Sequence, residues 1–338
     1  MKIHRRTILF ALASLLLLPG TGARAETVKK TLCVYDPSGA MGDAFNLMKD
    51  YRNAAVAWGV DFELVPYTDE KTAAEDLKAG KCDVALLTGV RARLFNKFSG
   101  SIEAMGAIKS YEQLKKVVQL LANPKAGKKM QAGGYETVGI FPAGAVYMFL
   151  RDRTLEDVGD LAGKRIATLD FDEAAVTMVD RAGASMVPAD IGTFAGMFNN
   201  GSVDIAYAPA TAYGPLELHK GLGKKGAVVR YPLAQLTLQL LARSDAGLPP
   251  GFADASRNFA AKHFDKVLKL TRRAEQQIPK RYWKEVPPEK AKGYDALFRE
   301  VRIQLRDKGV YDKTMLTLLR RVRCKDDPAR AECAEKRE

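Results

Sequence analysis

The chain has 338 residues, 47% apolar, 28% charged and 8% aromatic, which is too apolar for disorder and too long for one small module. Collagen-like, low-complexity and mini-protein classes are excluded. The formal charge is +13; Lys2, Arg5, Arg6 and Arg24 supply four of the 53 cations before any acid occurs, so beyond residue 25 the balance is +9.

Lys2, Arg5 and Arg6 precede an apolar run from Ile8 to Leu18, and Ala23-Arg24-Ala25 forms a small-x-small site before Glu26. Residues 1–25 therefore read as a cleaved secretory signal peptide. The apolar run is too short for an anchor, which needs about 20 such residues. No cysteine follows it to carry a lipid, and no later apolar run is long enough to cross a bilayer. The expected location is the periplasm.

Strand and helix signals then alternate. Thr31–Tyr35, Val60–Pro66 and Asp83–Thr88 predict strands, with amphipathic helices at Met41–Trp58 and Asp69–Lys78 between them. A helix is expected at Tyr111–Leu121, and Val138–Leu150 reads as a long connecting segment. A second series follows, with strands at Arg165–Leu169, Ala184–Val187 and Asp204–Ala208 and helices at Phe171–Arg181, Ile191–Asn199 and Thr211–Lys220. Ala227–Ala242 is one extended apolar stretch. Helices at Phe252–Gln276, Pro288–Lys308 and Tyr311–Val322 complete the chain.

Such alternation predicts an α/β protein with parallel-type sheets in two lobes, joined by hinge crossover strands and followed by C-terminal helices. Two long crossing strands that join two such lobes imply a hinge with a cleft between them, a shape that closes around something. The expected division is 26–142 with 235–338 in lobe I and 143–234 in lobe II.

Four cysteines suit an oxidising compartment. Cys324 and Cys333 flank a short polar loop and are expected to form a terminal disulfide, while Cys33 and Cys82, at strand edges, either pair or stay buried as thiols. There is no C-x-x-C, and His219 and His263 are the only histidines after the leader, so neither a metal nor another cofactor is expected. Gly221 to Gly226 spells G-x-G-x-x-G, but a helix precedes it and a strand follows, the reverse of a nucleotide cradle. No nucleophile elbow or Ser-His-Asp set is available, so no enzyme is expected. Basic helix faces such as Lys262, Lys266 and Lys269 are interleaved with acids and read as solvated surface, not as a nucleic-acid site.

Open α/β sheets bind ligands beyond the carboxyl ends of their strands. Asp36 and Ser38 follow the first strand, Thr88 ends the third and Arg91 comes within one turn of it. Ser38 either caps the following helix or holds a polar ligand group. The corresponding positions in the second series are Asp170, Phe171, Tyr207 and Tyr213, with Tyr147 near the first crossover. Acids with aromatic faces suit a cation, whereas Arg91 argues for an anionic group. Ordinary capping and core packing are the alternative at each of these positions.

Leu161-Ala162-Gly163-Lys164-Arg165-Ile166, the Ala-Gly-Ala step at 182–184, Phe198 to Asp204, and Asp76 to Val84 together resemble TRAP-type (DctP-like) solute-binding proteins over most of residues 30–245. Thr31 to Gly39 and Lys81 to Ala85 are similar, more closely, to the opening motifs of AdeT-like solute-binding proteins, a set associated with RND-type efflux. The resemblance implies a two-lobed periplasmic binding protein of the Venus-flytrap, type II kind, that captures a small solute and presents it to inner-membrane transporter subunits. Organic-acid receptors of the TRAP family clamp a carboxylate with an arginine in the strand after the Gly-Lys step; here that position is Ala167, and the family's asparagine near the following Val-Asp step is Ala208. Organic-acid specificity is therefore not implied, and an amine or other non-carboxylate solute is preferred. The competing expectation is an efflux accessory protein acting by protein contact, although the chain lacks an adaptor's coiled-coil hairpin.

Overall fold

In the computed structural model, residues 27–338 are described; the signal-peptide reading lies outside them. Strand β1 (Val28–Tyr35) begins three residues before its apolar run, because its exposed start pairs in parallel with β2 (Val60–Tyr67), Val28 opposite Val60 through to Tyr35 opposite Tyr67. The intervening helix Asp43–Ala55 turns Phe45, Met48 and Tyr51 inward. Helix Glu70–Lys78 opens on Asp69, whose carboxylate accepts the Thr72 N–H. It leads to β3 (Val84–Thr88), parallel to β1 on the other side.

After the helix Tyr111–Leu121, capped by Ser110, β4 (Gln131–Ala132) turns through Gly133 and Gly134 into β5 (Tyr135–Leu150). Both glycines have positive φ, which a side chain would oppose. β6 (Arg165–Leu169), β7 (Ser185–Ala189) and β8 (Ile205–Pro209) form the second parallel group. β9 (Ala227–Arg243) then returns antiparallel along the whole of β5, from Ala227 opposite Leu150 to Arg243 opposite Tyr135. The short β10 (Trp283–Lys284) lies beside the start of β9.

The strand order β2-β1-β3-β9-β5-β8-β6-β7 makes one continuous mixed sheet. Two parallel groups flank the antiparallel β5/β9 ribbons, so the parallel sheets of the sequence reading are joined rather than separate. Leu32, Met48, Phe62 and Phe252 pack the core beside β1–β3, and Phe149, Phe198, Ala206 and Val228 pack that beside β8. A third core joins Ile102, Leu114, Ile166, Met178, Phe298 and Leu319 from both ends of the sheet. The C-terminal helices Pro288–Asp307 and Lys313–Asp326 supply much of it.

Two helix expectations are corrected. Thr211–Lys220 is not one helix: Ala210–Ala212 is a single 3-10 turn and His219–Leu222 a short helix. Gly214-Pro215 lies between, and proline removes the N–H and disfavours helical backbone before it. Phe252–Gln276 divides into Phe252–Lys262 and Phe264–Gln277 at His263, whose φ of −91° and ψ of 4° leave the helical range while its ring stacks on Phe259.

Both disulfides are formed. Cys33 joins Cys82 and ties β1 to the turn before β3, and Cys324 joins Cys333. The first spans 49 residues and the second nine. Chain-entropy arithmetic makes the first worth about 4 kcal/mol and the second about 2.5–3 kcal/mol. A Cys33→Ser/Cys82→Ser double variant is thus expected to lower the urea midpoint more than Cys324→Ser/Cys333→Ser; equal midpoints would contradict the loop-length argument.

Candidate functional site

A cavity of about 320 Å³ opens where the carboxyl ends of β1 and β3 face those of β6 and β8. Leu233, Leu236 and Leu238 of β9, with Pro142 and Val146 of β5, contribute to its wall, and Val267 and Leu270 approach from the helix Phe264–Gln277. Most of its lining is apolar, so it suits a guest with a hydrophobic body.

Of the residues singled out in the sequence, Asp36, Ser38, Thr88 and Tyr207 line this cavity. Asp36 is nonetheless taken up by backbone: Oδ1 accepts the Ser38 N–H at 2.8 Å, and Oδ2 accepts those of Ala44 and Phe45 at 2.8 and 3.2 Å. A carboxylate there neutralises the helix start. Gly42 makes room for it, since a Cβ would lie 1.9 Å from Oδ1. Ser38 makes no capping side-chain bond, so the capping role expected at Ser38 falls to Asp36. The Thr88 N–H donates to Glu70 Oε1 at 2.7 Å, and the Thr88 hydroxyl accepts the Arg91 N–H at 3.3 Å. The Tyr207 hydroxyl accepts the Leu169 N–H at 3.1 Å.

The other five lie outside the lining. Arg91 and Phe171 meet each other, the guanidinium 3.6 Å from the ring centroid, and Arg91 Nε stands 3.5 Å from Glu70 Oε2. Asp170 is exposed. Tyr147 faces away because strand neighbours alternate: Val146 lines the cavity, while the Tyr147 hydroxyl donates to Glu275 Oε1 at 2.8 Å and its ring meets Trp283 edge-on. Tyr213 packs beside His219.

Four charged residues not singled out in the sequence do line it: Asp43, which is exposed at the start of its helix, and the buried Arg93, Glu103 and Asp172. Asp172 caps the helix Glu173–Arg181 through the Ala174 N–H and forms a buried ion pair with Arg93, which follows the short helix Gly89–Ala92 after β3. The pair bridges the two parallel groups of the sheet. Burial works against the Arg93 charge, and Asp172 outweighs it, so the guanidinium is held above its ordinary pKa. Glu103 lies at the end of a 3-10 turn, Ser101–Glu103. Burial pushes its carboxyl up to about 8, against the opposing pull of its Thr237 hydrogen bonds and of Arg93.

The position of the TRAP arginine, Ala167, packs in the core with Phe149 and Phe198, and Ala208 lines the cavity with a methyl group. No bidentate carboxylate clamp stands at either position. Among the described residues no cluster of His, Cys, Asp or Glu could hold a metal ion, and no helix is long and apolar enough to cross a membrane.

The family model described as solute-binding protein AdeT 1/2 matches residues 52–338. The chain belongs to this family. It is 41% identical over 301 residues to the probable solute-binding protein AdeT1 of Acinetobacter baumannii, covering 89% of this chain and 99% of that protein. To the probable solute-binding protein AdeT2 of the same organism it is 28% identical over 234 residues, 69% of this chain and 98% of that one. Among solved structures, the TRAP periplasmic solute-binding protein of Ralstonia eutropha with bound (S)-2-acetolactate superposes with a TM-score of 0.72 at 12% identity, covering 88% of this chain and 99% of that one. That of Haemophilus influenzae with bound L-gulonate gives 0.72 at 12% identity, covering 87% and 99%. This AdeT-family chain is a solute-binding protein with the TRAP fold. Its mixed sheet and ribbon connection are those of the TRAP fold.

Proposed function

We propose that this AdeT-family protein works in the periplasm, after removal of residues 1–25, by enclosing a small solute in the cavity and presenting it to inner-membrane transporter subunits. Lobe I (26–142 with 235–338) and lobe II (143–234) would close about the β5/β9 ribbons. The observation that carries this reading is the place of the cavity: it lies at the strand ends of both parallel groups, with the Arg93–Asp172 ion pair joining them at its wall. A solute that touches both lobes binds the closed form better and draws the hinge equilibrium toward it. The apolar lining and Ala167 and Ala208 favour a guest other than an organic acid.

The test is to purify the protein natively, denature it and identify released small molecules by mass spectrometry. A bound solute near one per chain is the expected result. Absence of any such molecule, together with stable capture of a pump or adaptor, would favour the accessory role by protein contact and overturn solute delivery.

A further inference from the structure

Among the buried acids that line the cavity, Asp36, Asp172 and Glu103, one has a free acceptor. Asp36 holds three backbone N–H groups, Asp172 holds Arg93 and the Ala174 N–H, and the Tyr207 hydroxyl accepts from Leu169. Glu103 differs. Its Oε1 accepts both the Thr237 N–H, at 2.6 Å, and the Thr237 hydroxyl, at 2.7 Å, whereas its Oε2 is buried with no hydrogen-bond partner among the described residues. The residue is 3% exposed and lines the cavity.

The surroundings leave room for this carboxyl and hold it in place. Gly89 lies against it, and a Cβ there would come 2.1 Å from Oε1 and 2.5 Å from Thr237 Oγ1. Gln235 and Gln239, two residues either side of Thr237 along β9, also bury side-chain oxygens that lack a donor, but neither lines the cavity. A buried acceptor without a donor is costly, so Glu103 Oε2 at the cavity wall calls for a guest that brings an N–H group. A charged donor bonds such a carboxylate most strongly, and the missing carboxylate clamp removes the competing demand.

We infer that the solute of this protein is an amine with an apolar body, its ammonium group set against Glu103 Oε2. This rests on solute capture in the same cavity. The ionic groups facing Glu103 are Arg93 and Asp172, which largely neutralise one another, with Tyr311 beneath the Arg93 guanidinium. In the empty protein, burial keeps a proton on Glu103 at neutral pH. An arriving ammonium displaces it, so binding releases one proton.

Phenylbutylamine, phenylbutanol and phenylbutyrate share one apolar body and differ in their head groups; their affinities for the full mature protein and for Glu103→Gln are to be measured by calorimetry. Glu103→Gln keeps a side-chain oxygen that can accept from Thr237, so the substitution preserves the local fold while removing the charge. The amine is expected to bind tightest, and to lose about tenfold or more in Glu103→Gln while the alcohol changes by less than about twofold. In the unmodified protein, amine affinity is expected to rise between about pH 6 and pH 8, by at most tenfold per unit, and alcohol affinity to stay flat. An amine that binds no better than the alcohol, is indifferent to Glu103→Gln, or shows no such pH dependence overturns the amine assignment while leaving capture intact. If none of the three binds at millimolar concentration, the capture reading fails and the amine assignment with it.

Discussion

Asp172→Asn is expected to hold the empty protein open. The substitution preserves the cap on helix Glu173–Arg181, because asparagine caps as well as aspartate. It removes the charge that faces Arg93, itself 6% exposed. Breaking one partner of a buried pair costs about 3–5 kcal/mol because the survivor stays buried and uncompensated. Here the survivor has an escape: parting the two lobes lets water reach the guanidinium. A shift of about 4 kcal/mol moves a two-state equilibrium by roughly a thousandfold. Small-angle scattering should therefore report a larger radius of gyration for the empty variant than for the unmodified protein. Arg93→Met/Asp172→Leu, which buries neither charge, should recover the compact form. Identical scattering from Asp172→Asn and the parent would show that the pair is not a latch.

The second large effect belongs to the C-terminal helices. Arg302 and Arg323 are 2% and 1% exposed. Glu332 accepts from Arg323 Nε and Nη2 at 2.7 and 2.9 Å, from Arg302 Nη2 at 3.1 Å and from Arg330 Nε at 2.8 Å. The Arg302 and Arg323 guanidinium groups also donate to carbonyls of Met105 and Ala107, so the cluster fastens the last helices to the segment that leads into the cavity wall. Glu332→Ala leaves the two buried cations to share the Glu338 carboxylate, which pairs with both, and is expected to cost about 3 kcal/mol in denaturant unfolding. Burial disfavours the Glu332 carboxylate, but Arg323, Arg302 and Arg330 outweigh this and hold its pKa well below the usual 4.5. A group depressed in the folded state stabilises fully above its unfolded pKa and loses that contribution as pH falls below it. The urea midpoint of the parent should accordingly drop between about pH 5 and pH 3 more steeply than that of Glu332→Ala. Parallel pH profiles would remove Glu332 from the account.

The architecture is more legible than the site, for a physical reason. Strands such as Arg165–Leu169 announce themselves as short apolar runs buried on both faces, and the helix Tyr111–Leu121 by burial that repeats every 3.6 residues. The two long ribbons, β5 and β9, read as unusually long apolar stretches because both of their faces are mostly buried. Pockets have no period. Arg91 and Asp170 are each two residues from the side chains that reach the cavity, Arg93 and Asp172, since direction within a turn depends on backbone angles that composition does not reveal. The capping preference for acids points to Asp172 once the helix is started at Glu173 instead of Phe171. Tyr147 is misplaced by the sequence reading because alternation tells which residues share a face but not which face borders empty space. Glu103 has no sequence signal: an acid between Ile102 and Ala104 gives no hint that Thr237, far along the chain, will hold it in an apolar wall.

The position of β9 bears on how the molecule assembles. β3 ends at Thr88, yet its antiparallel neighbour starts only at Ala227, after all the strands of the second group. A chain that lengthens from its N-terminus therefore carries an unpaired strand edge from Thr88 until Leu238 has followed. Pairings of such long sequence separation form slowly, and bare edges invite contact with other chains. Maturation should thus be a late, concerted event triggered by arrival of the second ribbon, and chaperone shielding of the early segment would favour yield more than any added stability could.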